Sequence, residues 1–157
     1  MNRPVTIEPI GILHTPFATR EQAPIQGAFA PEASGVLEVR PELEPGLKDI
    51  DGFSHLIVLY LLDRATAVDL QPLPLLDDEP RGVFATRNPR RPNHIALMVV
   101  RLDKRDGRRL HLSHVDALDG SPVIDIKPYV RRFDSVPDAS EGWFAGKQDR
   151  PKPPGRE

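Results

Sequence analysis

Apolar residues in this chain come in short runs, and turn-forming residues separate them. Seven stretches read as strands: 7–13, 35–40, 55–62, 83–86, 95–102, 109–116 and 123–127. Val, Ile and Leu are frequent in them, and Gly, Pro, Asn or Asp bound most of them. The dipeptide Asp106-Gly107 is a strong hairpin signal between the fifth and sixth runs. Residues 41–47 suit one short helical turn. No segment sustains a helical period, so the expected fold is mostly β. Many short strands at similar spacing favour a barrel or a sandwich.

Eighteen prolines and eleven glycines punctuate the 157 residues. Residues 64–80 pass through Pro72, Pro74 and Pro80 beside Asp77-Asp78-Glu79, and read as a long connection over a site. After Val136 the periodicity is lost. Residues 147–157 are charged and proline-rich and are expected to be a mobile tail. Trp143 and Phe144 are expected to dock that tail on the body or on a second subunit. The reading is one β domain over 1–135 and a C-terminal extension, partly disordered, over 136–157.

The length suits a single domain with a sizeable core. Without cysteine, disulfides and thiolate metal sites are excluded. No apolar run approaches the ~20 residues that span a bilayer. Residues 1–6 lack the apolar core of a signal peptide. The expected location is cytoplasmic.

Charge changes this picture. The net charge of -2 conceals a basic zone: residues 81–109 hold 9 Lys+Arg against 2 Asp+Glu, a balance of +7. Residues 1–80 hold 5 against 13, a balance of -8. A local positive zone can focus an anionic partner. Part of it flanks the hairpin turn: Arg101, Lys104, Arg105, Arg108 and Arg109. The rest is Arg81 and the run from Gly82 to Asn93, where Arg87, Arg90 and Arg91 are interspersed with prolines and asparagines. Proline stiffens such a loop. Guanidinium groups bind phosphate, carboxylate or an aromatic face. The loop therefore reads as a site for something anionic or flat, or as a solvated surface loop.

Familiar nucleotide devices are missing. Neither GxGxxG nor a Walker loop occurs. Metal spacing is poor: in a strand, His111 and His114 would point to opposite faces. The apolar phase Leu110, Leu112 continues into His114 and Asp116. These polar groups are either tied into a turn or facing a pocket, and Asp116 could receive amides from Leu118-Asp119-Gly120. In the run Asp119 to Tyr129, Ile124 and Ile126 share one phase, and Asp125, Lys127 and Tyr129 the other. An acid–base pair there is either structural or a pocket wall. Pro24-Ile25-Gln26-Gly27 offers an amide and exposed backbone beside glycine.

Together these patches resemble the TsaA-like family, whose tRNA-methylating members are called TrmO. The matching stretches are Ile10 to Phe17, Pro24-Ile25-Gln26, Gly46-Leu47 through Gly52 to Leu56, Arg81 to Asn93, and Asp116 to Tyr129. They run in order across residues 7–130. The resemblance implies a small single-sheet β-barrel that binds S-adenosylmethionine without a Rossmann fold, as a homodimer with the cofactor near the subunit contact. It implies methyl transfer to N6 of threonylcarbamoyladenosine in tRNA. Motif matching implies cofactor contacts at Gln26, Gly27, Ala28, Asp63, Arg64, Arg87, Leu97, His114, Val115, Asp116 and Ala117. Arg90, Arg91, Asn93 and Lys127 are the expected RNA contacts. Asp116, His94 and Tyr129 are the candidates for the base that takes the acceptor's proton. No metal and no membrane are expected.

Two departures from the family pattern stand out. Where it reads Arg-Pro-Asn-Pro-Ile-Gly, this chain has Arg91-Pro92-Asn93-His94-Ile95-Ala96. If that glycine had a positive φ, Ala96 would be strained. Two other functions stay open at this stage: methyl transfer to a small metabolite, and cofactor binding without catalysis.

Overall fold

The computed structural model describes residues 3–147. Six strands form a closed antiparallel barrel: β1 (Gly11–His14), β2 (Ser34–Val39), β3 (His55–Leu61), β4 (Ile95–Asp106), β5 (Arg109–Ser113) and β6 (Pro122–Pro128). Their order around the barrel is β1-β2-β5-β4-β3-β6, and β6 returns to pair with β1. Closure removes the unpaired edges of an open sheet.

Alternation builds the core. In β3 the phase Leu56, Val58, Tyr60 points inward, while His55, Ile57, Leu59 and Leu61 are only partly covered. Leu13, Leu37, Met98, Val100, Leu110, Leu112 and Val123 complete the interior. Each such burial removes apolar surface from water and contributes about 1.5–3 kcal/mol. The β4–β5 hairpin turns at Asp106-Gly107, where Gly107 takes φ +59°. Residues 41–47 form the expected turn, as a 3-10 helix with Pro41 in its first turn.

The structure corrects three readings. Residues 83–86 are no strand: Val83–Ala85 is a 3-10 turn, with Ala85 N–H donating to the Gly82 carbonyl and Thr86 N–H to that of Val83. Val83 is apolar because it is buried from a loop. Second, the phase along β6 breaks. Leu59 pairs with Asp125 but Tyr60 with Val123, so Ile124 is an extra residue. That bulge lets Val123 and Ile126 both join the core instead of Ile124 and Ile126 sharing a phase. Third, β5 ends at Ser113, and His114 takes φ +65°. This left-handed residue flips the alternation, so Val115 and Ala117 are buried. His111 and His114 thus do not share one strand.

The long connection between β3 and β4 crosses one barrel end. After β6, a short helix α1 (Arg131–Asp134) leads into residues 135–147. Trp143 Nε1 donates to the Ala85 carbonyl at 2.8 Å, so this segment docks on the body. Most of the expected mobile tail lies outside the described residues. No helix among the described residues is long and apolar enough to cross a membrane.

Candidate functional site

Asp116 organises one end of the barrel. It follows the left-handed His114, which turns the chain out of β5 toward the 22–30 loop. Its Oδ1 accepts from the Tyr60 hydroxyl at 2.6 Å, and its Oδ2 from the Gly27 amide at 3.0 Å. The turn 118–120 does not supply these bonds. That turn is held separately, with Asp119 Oδ1 accepting from the Thr15 amide and Ala117's carbonyl from the Thr15 hydroxyl. The motif around Thr15-Pro16-Phe17 is thereby tied to the one around Asp116.

Burial pushes the Asp116 carboxyl above its ordinary value of 3.8, and the bonds from Tyr60 and Gly27 and the charge of Arg87 offset this only in part. Burial, together with the Asp116 charge, pushes the Tyr60 hydroxyl far above its usual range. Tyr60 is therefore a donor to Asp116 and stays protonated. Gly27 is required by close approach: a Cβ there would lie 1.8 Å from the His114 carbonyl oxygen. The Gly27 backbone and the His114 backbone are in contact because neither side chain intervenes.

A cleft of about 550 Å³ opens above Asp116. The 3-10 turn at Val83–Ala85 leads into its arginine loop. Thr86 Oγ1 donates to the Val83 carbonyl, and Arg91 Nη1 donates to the Thr86 carbonyl at 2.9 Å. Asn88 Oδ1 accepts from the Arg90 amide. Hydrogen bonds as well as prolines therefore stiffen the loop. Arg87 crosses to the opposite wall, where its Nη1 donates to Gln26 Oε1 at 2.9 Å. Arg64 Nη2 donates to the Asp119 carbonyl at 2.6 Å.

Of the residues singled out in the sequence, Gln26, Asp63, Arg64, Arg87, Leu97, Asp116 and Ala117 line this one cleft, with Arg90 and Arg91. Ala28 lines a neighbouring cleft. Gly27 and His114 meet at the backbone beside Asp116, and Val115 is in the core. The other candidates lie apart. His94 Nδ1 is 2.9 Å from the Pro89 carbonyl, and the residue is not part of the cleft lining. Tyr129 packs edge-on against His55, with ring centroids 6.3 Å apart. Lys127 pairs with Asp125 at 2.8 Å on the barrel surface, which is the structural alternative for that pair. Asn93 is exposed on the loop. Arg91 is partly buried in the bonds that fasten the loop. Among the described residues no cluster of three or more His, Asp or Glu could hold a metal.

The family model for the tRNA-methyltransferase O N-terminal domain matches residues 12–135. The chain belongs to this family. A protein of Archaeoglobus fulgidus named a probable S-adenosyl-L-methionine-binding protein is 49% identical over 140 residues, covering 89% of this chain and 38% of that one. A mouse tRNA (adenine(37)-N6)-methyltransferase is 36% identical, with 82% and 31% covered. The crystal structure of TrmO from Pseudomonas aeruginosa superposes with a TM-score of 0.76 at 38% identity, over 90% of this chain and 63% of that one. The chain thus spans less than two-thirds of the length of each of these three proteins.

Within this family barrel, the departure at 91–96 is resolved differently from the expectation. Ala96 has no positive φ and lies in β4 opposite Tyr60. The left-handed residue is His94, at φ +45°. Proline fixes φ near −65°, so the chain could not follow this path with proline at 94. Sequence reasoning missed Tyr60, Arg20 and Leu62 on the cleft wall. Tyr60 carried a signal: a phenol in the inward phase of an apolar strand must find a partner for its hydroxyl.

Proposed function

We propose that this protein is an S-adenosylmethionine-dependent methyltransferase acting on N6 of threonylcarbamoyladenosine in tRNA. The observation that carries the reading is the carboxylate of Asp116, held by Tyr60 and Gly27 at the floor of a cleft that an arginine loop closes. The donor set fits the cofactor. Arg87 offers a fork to a carboxylate, and Asp116 accepts from amino or hydroxyl groups. The Gly27–His114 approach leaves backbone at the wall with no side chain between. The names of the related proteins support both the cofactor and the tRNA acceptor.

When bound, the cofactor supplies a methyl group on a sulfonium, which an acceptor nitrogen takes as the carbon–sulfur bond breaks. The chain's own work is mainly alignment, which can lower such a barrier by roughly 7–11 kcal/mol. Gln26 and Arg87 brace opposite walls through their mutual bond. Asp116 takes the proton from the acceptor nitrogen: of the three candidate bases it alone lines the cleft, and burial raises its carboxyl above the ordinary value, which strengthens it as a base. Arg20 and Arg90 supply phosphate contacts, since neither guanidinium has a hydrogen bond or ion pair among the described residues. By the same reading the protein is a cytoplasmic homodimer. Leu97 and Val99 project from the outer face of β4, each 39% exposed, and Leu97 also lines the cleft.

The test is methyl transfer itself. Protein and S-adenosylmethionine are incubated with tRNA carrying threonylcarbamoyladenosine, and the digested nucleosides are analysed by mass spectrometry. A new methylated threonylcarbamoyladenosine is the expected product. No product, with cofactor binding shown calorimetrically in the same sample, rejects this acceptor.

A further inference from the structure

A second cleft of about 560 Å³ lies against the first. The two share a ridge that includes Arg20, Gln26 and Arg87. The far wall of the second cleft is aromatic. Trp143 and Phe144 stack with centroids 3.9 Å apart and planes 26° from parallel. The pair is fastened to the body at three points. Trp143 Nε1 donates to the Ala85 carbonyl, the Arg81 guanidinium lies over the indole at 5.7 Å, and Lys147 Nζ donates to Asp77 at 3.1 Å. Phe144 is nevertheless 41% exposed.

Charge narrows the occupant. Arg20, Arg87 and Lys147 line this cleft with one acid, Glu141; Lys147 is paired with the buried Asp77 and Arg87 with the Gln26 side chain, so the Arg20 guanidinium is the one left without a partner among the described residues. An apolar peptide would use the rings and leave Arg20 unmatched. A bare polyanion would use the cations and leave the rings. An unpaired nucleotide uses both, since its base stacks on an aromatic face and its phosphate meets a guanidinium.

We infer that the second cleft is the subsite for the acceptor nucleotide. An unpaired purine nucleotide of the RNA stacks on Phe144, its phosphate meets Arg20, and its reactive edge reaches the first cleft across the Arg87 ridge. Trp143 is a positioning residue that holds the Phe144 ring in place. This inference rests on the RNA-methylating reading above.

The experiment uses the full chain with substitutions Phe144→Ala, Phe144→Leu and Phe144→Tyr. Binding of a labelled anticodon stem-loop RNA is read by fluorescence anisotropy, KM and kcat on tRNA by methyl transfer, and cofactor affinity by calorimetry. Loss of one base stack weakens binding by roughly tenfold. Phe144→Ala and Phe144→Leu are expected to lose RNA affinity and raise KM by about that factor. Phe144→Tyr keeps the ring and stays close to the wild type, and cofactor affinity is unchanged in all three. Leucine preserves apolar bulk, so RNA binding at the wild-type level in Phe144→Leu overturns the subsite while the function stands. Cofactor affinity lost along with RNA affinity also overturns it. If the wild-type chain neither binds the RNA nor methylates tRNA, both readings fall.

Discussion

Single atoms decide the site. The Gly27 backbone touches the His114 carbonyl, and no Cβ fits between them. Gly27→Ala is expected to lower stability by about 2 kcal/mol and to reduce cofactor affinity strongly, by thermal melting and calorimetry. Tyr60 makes a subtler contribution. Its hydroxyl bond lowers the Asp116 pKa against the raising effect of burial. With Asp116 as base, the rate falls as pH drops through that pKa, so the acid limb of the pH–rate profile lies above the ordinary carboxylate range. Tyr60→Phe removes a lowering contribution, and the acid limb moves to higher pH. A profile identical to the wild type would show that Asp116 is not the titrating base. Gly27 was legible in the sequence because its motif sits beside a glutamine in order with the other patches. The left-handed conformations of His114 and His94 were not, since a histidine carries no local mark of a positive φ.

At the scale of elements, the strands were read to within a few residues wherever apolar positions alternated. The errors fell where burial and strand pairing part company. Val83 is buried without a strand partner, and the β6 bulge adds one residue that alternation does not count. Residues 64–80 were expected to form a long connection over a site, and Arg64, Ala65, Thr66 and Ala67 at its start do line the cleft. What fixes it could not be read from sequence: Asp77, buried, binds Arg81 at 2.6 Å and Lys147 at 3.1 Å. Burial would raise its carboxyl, but Arg81, the Asp78 amide and Lys147 outweigh that and hold it well below its usual range. A carboxyl lowered by folding stabilises above its unfolded pKa of about 3.9 and loses that effect as pH falls through the lower folded value. Acidification through that window is therefore expected to weaken the hold of the body on residues 141–147. Asp77→Asn is expected to release them at neutral pH, seen as faster limited proteolysis after residue 136 with the barrel intact. Unchanged proteolysis would mean that Trp143 alone holds the segment.

For the whole molecule, the basic zone divides into two populations. Arg108 and Arg109 each pair with Glu38 at 2.8 Å, Arg101 with Asp103, and Arg105 with Asp51 and the Leu47 carbonyl. These strengthen the β2–β5 and β4 surface. Arg20 comes from the acidic half of the chain, yet with Arg87 and Arg90 it collects at the cleft. Counting charges along the sequence found the zone but could not sort it, because the sorting depends on which strands become neighbours.

Closure of the barrel has a consequence in time. β6 sits between β1 and β3, so the first strand made finds its second neighbour only in residues 122–123. Until then a growing chain carries two unsealed seams, and its first five strands are an open ribbon able to pair with other chains. Completion of the domain is therefore expected late and in a single step. A chain stopped at residue 121 is expected to aggregate, while one stopped at residue 135 keeps every strand and melts cooperatively. The cleft is expected only after the seam has closed, since the bond between Tyr60 of β3 and Asp116, just beyond β5, sits at the end of the barrel that β6 completes.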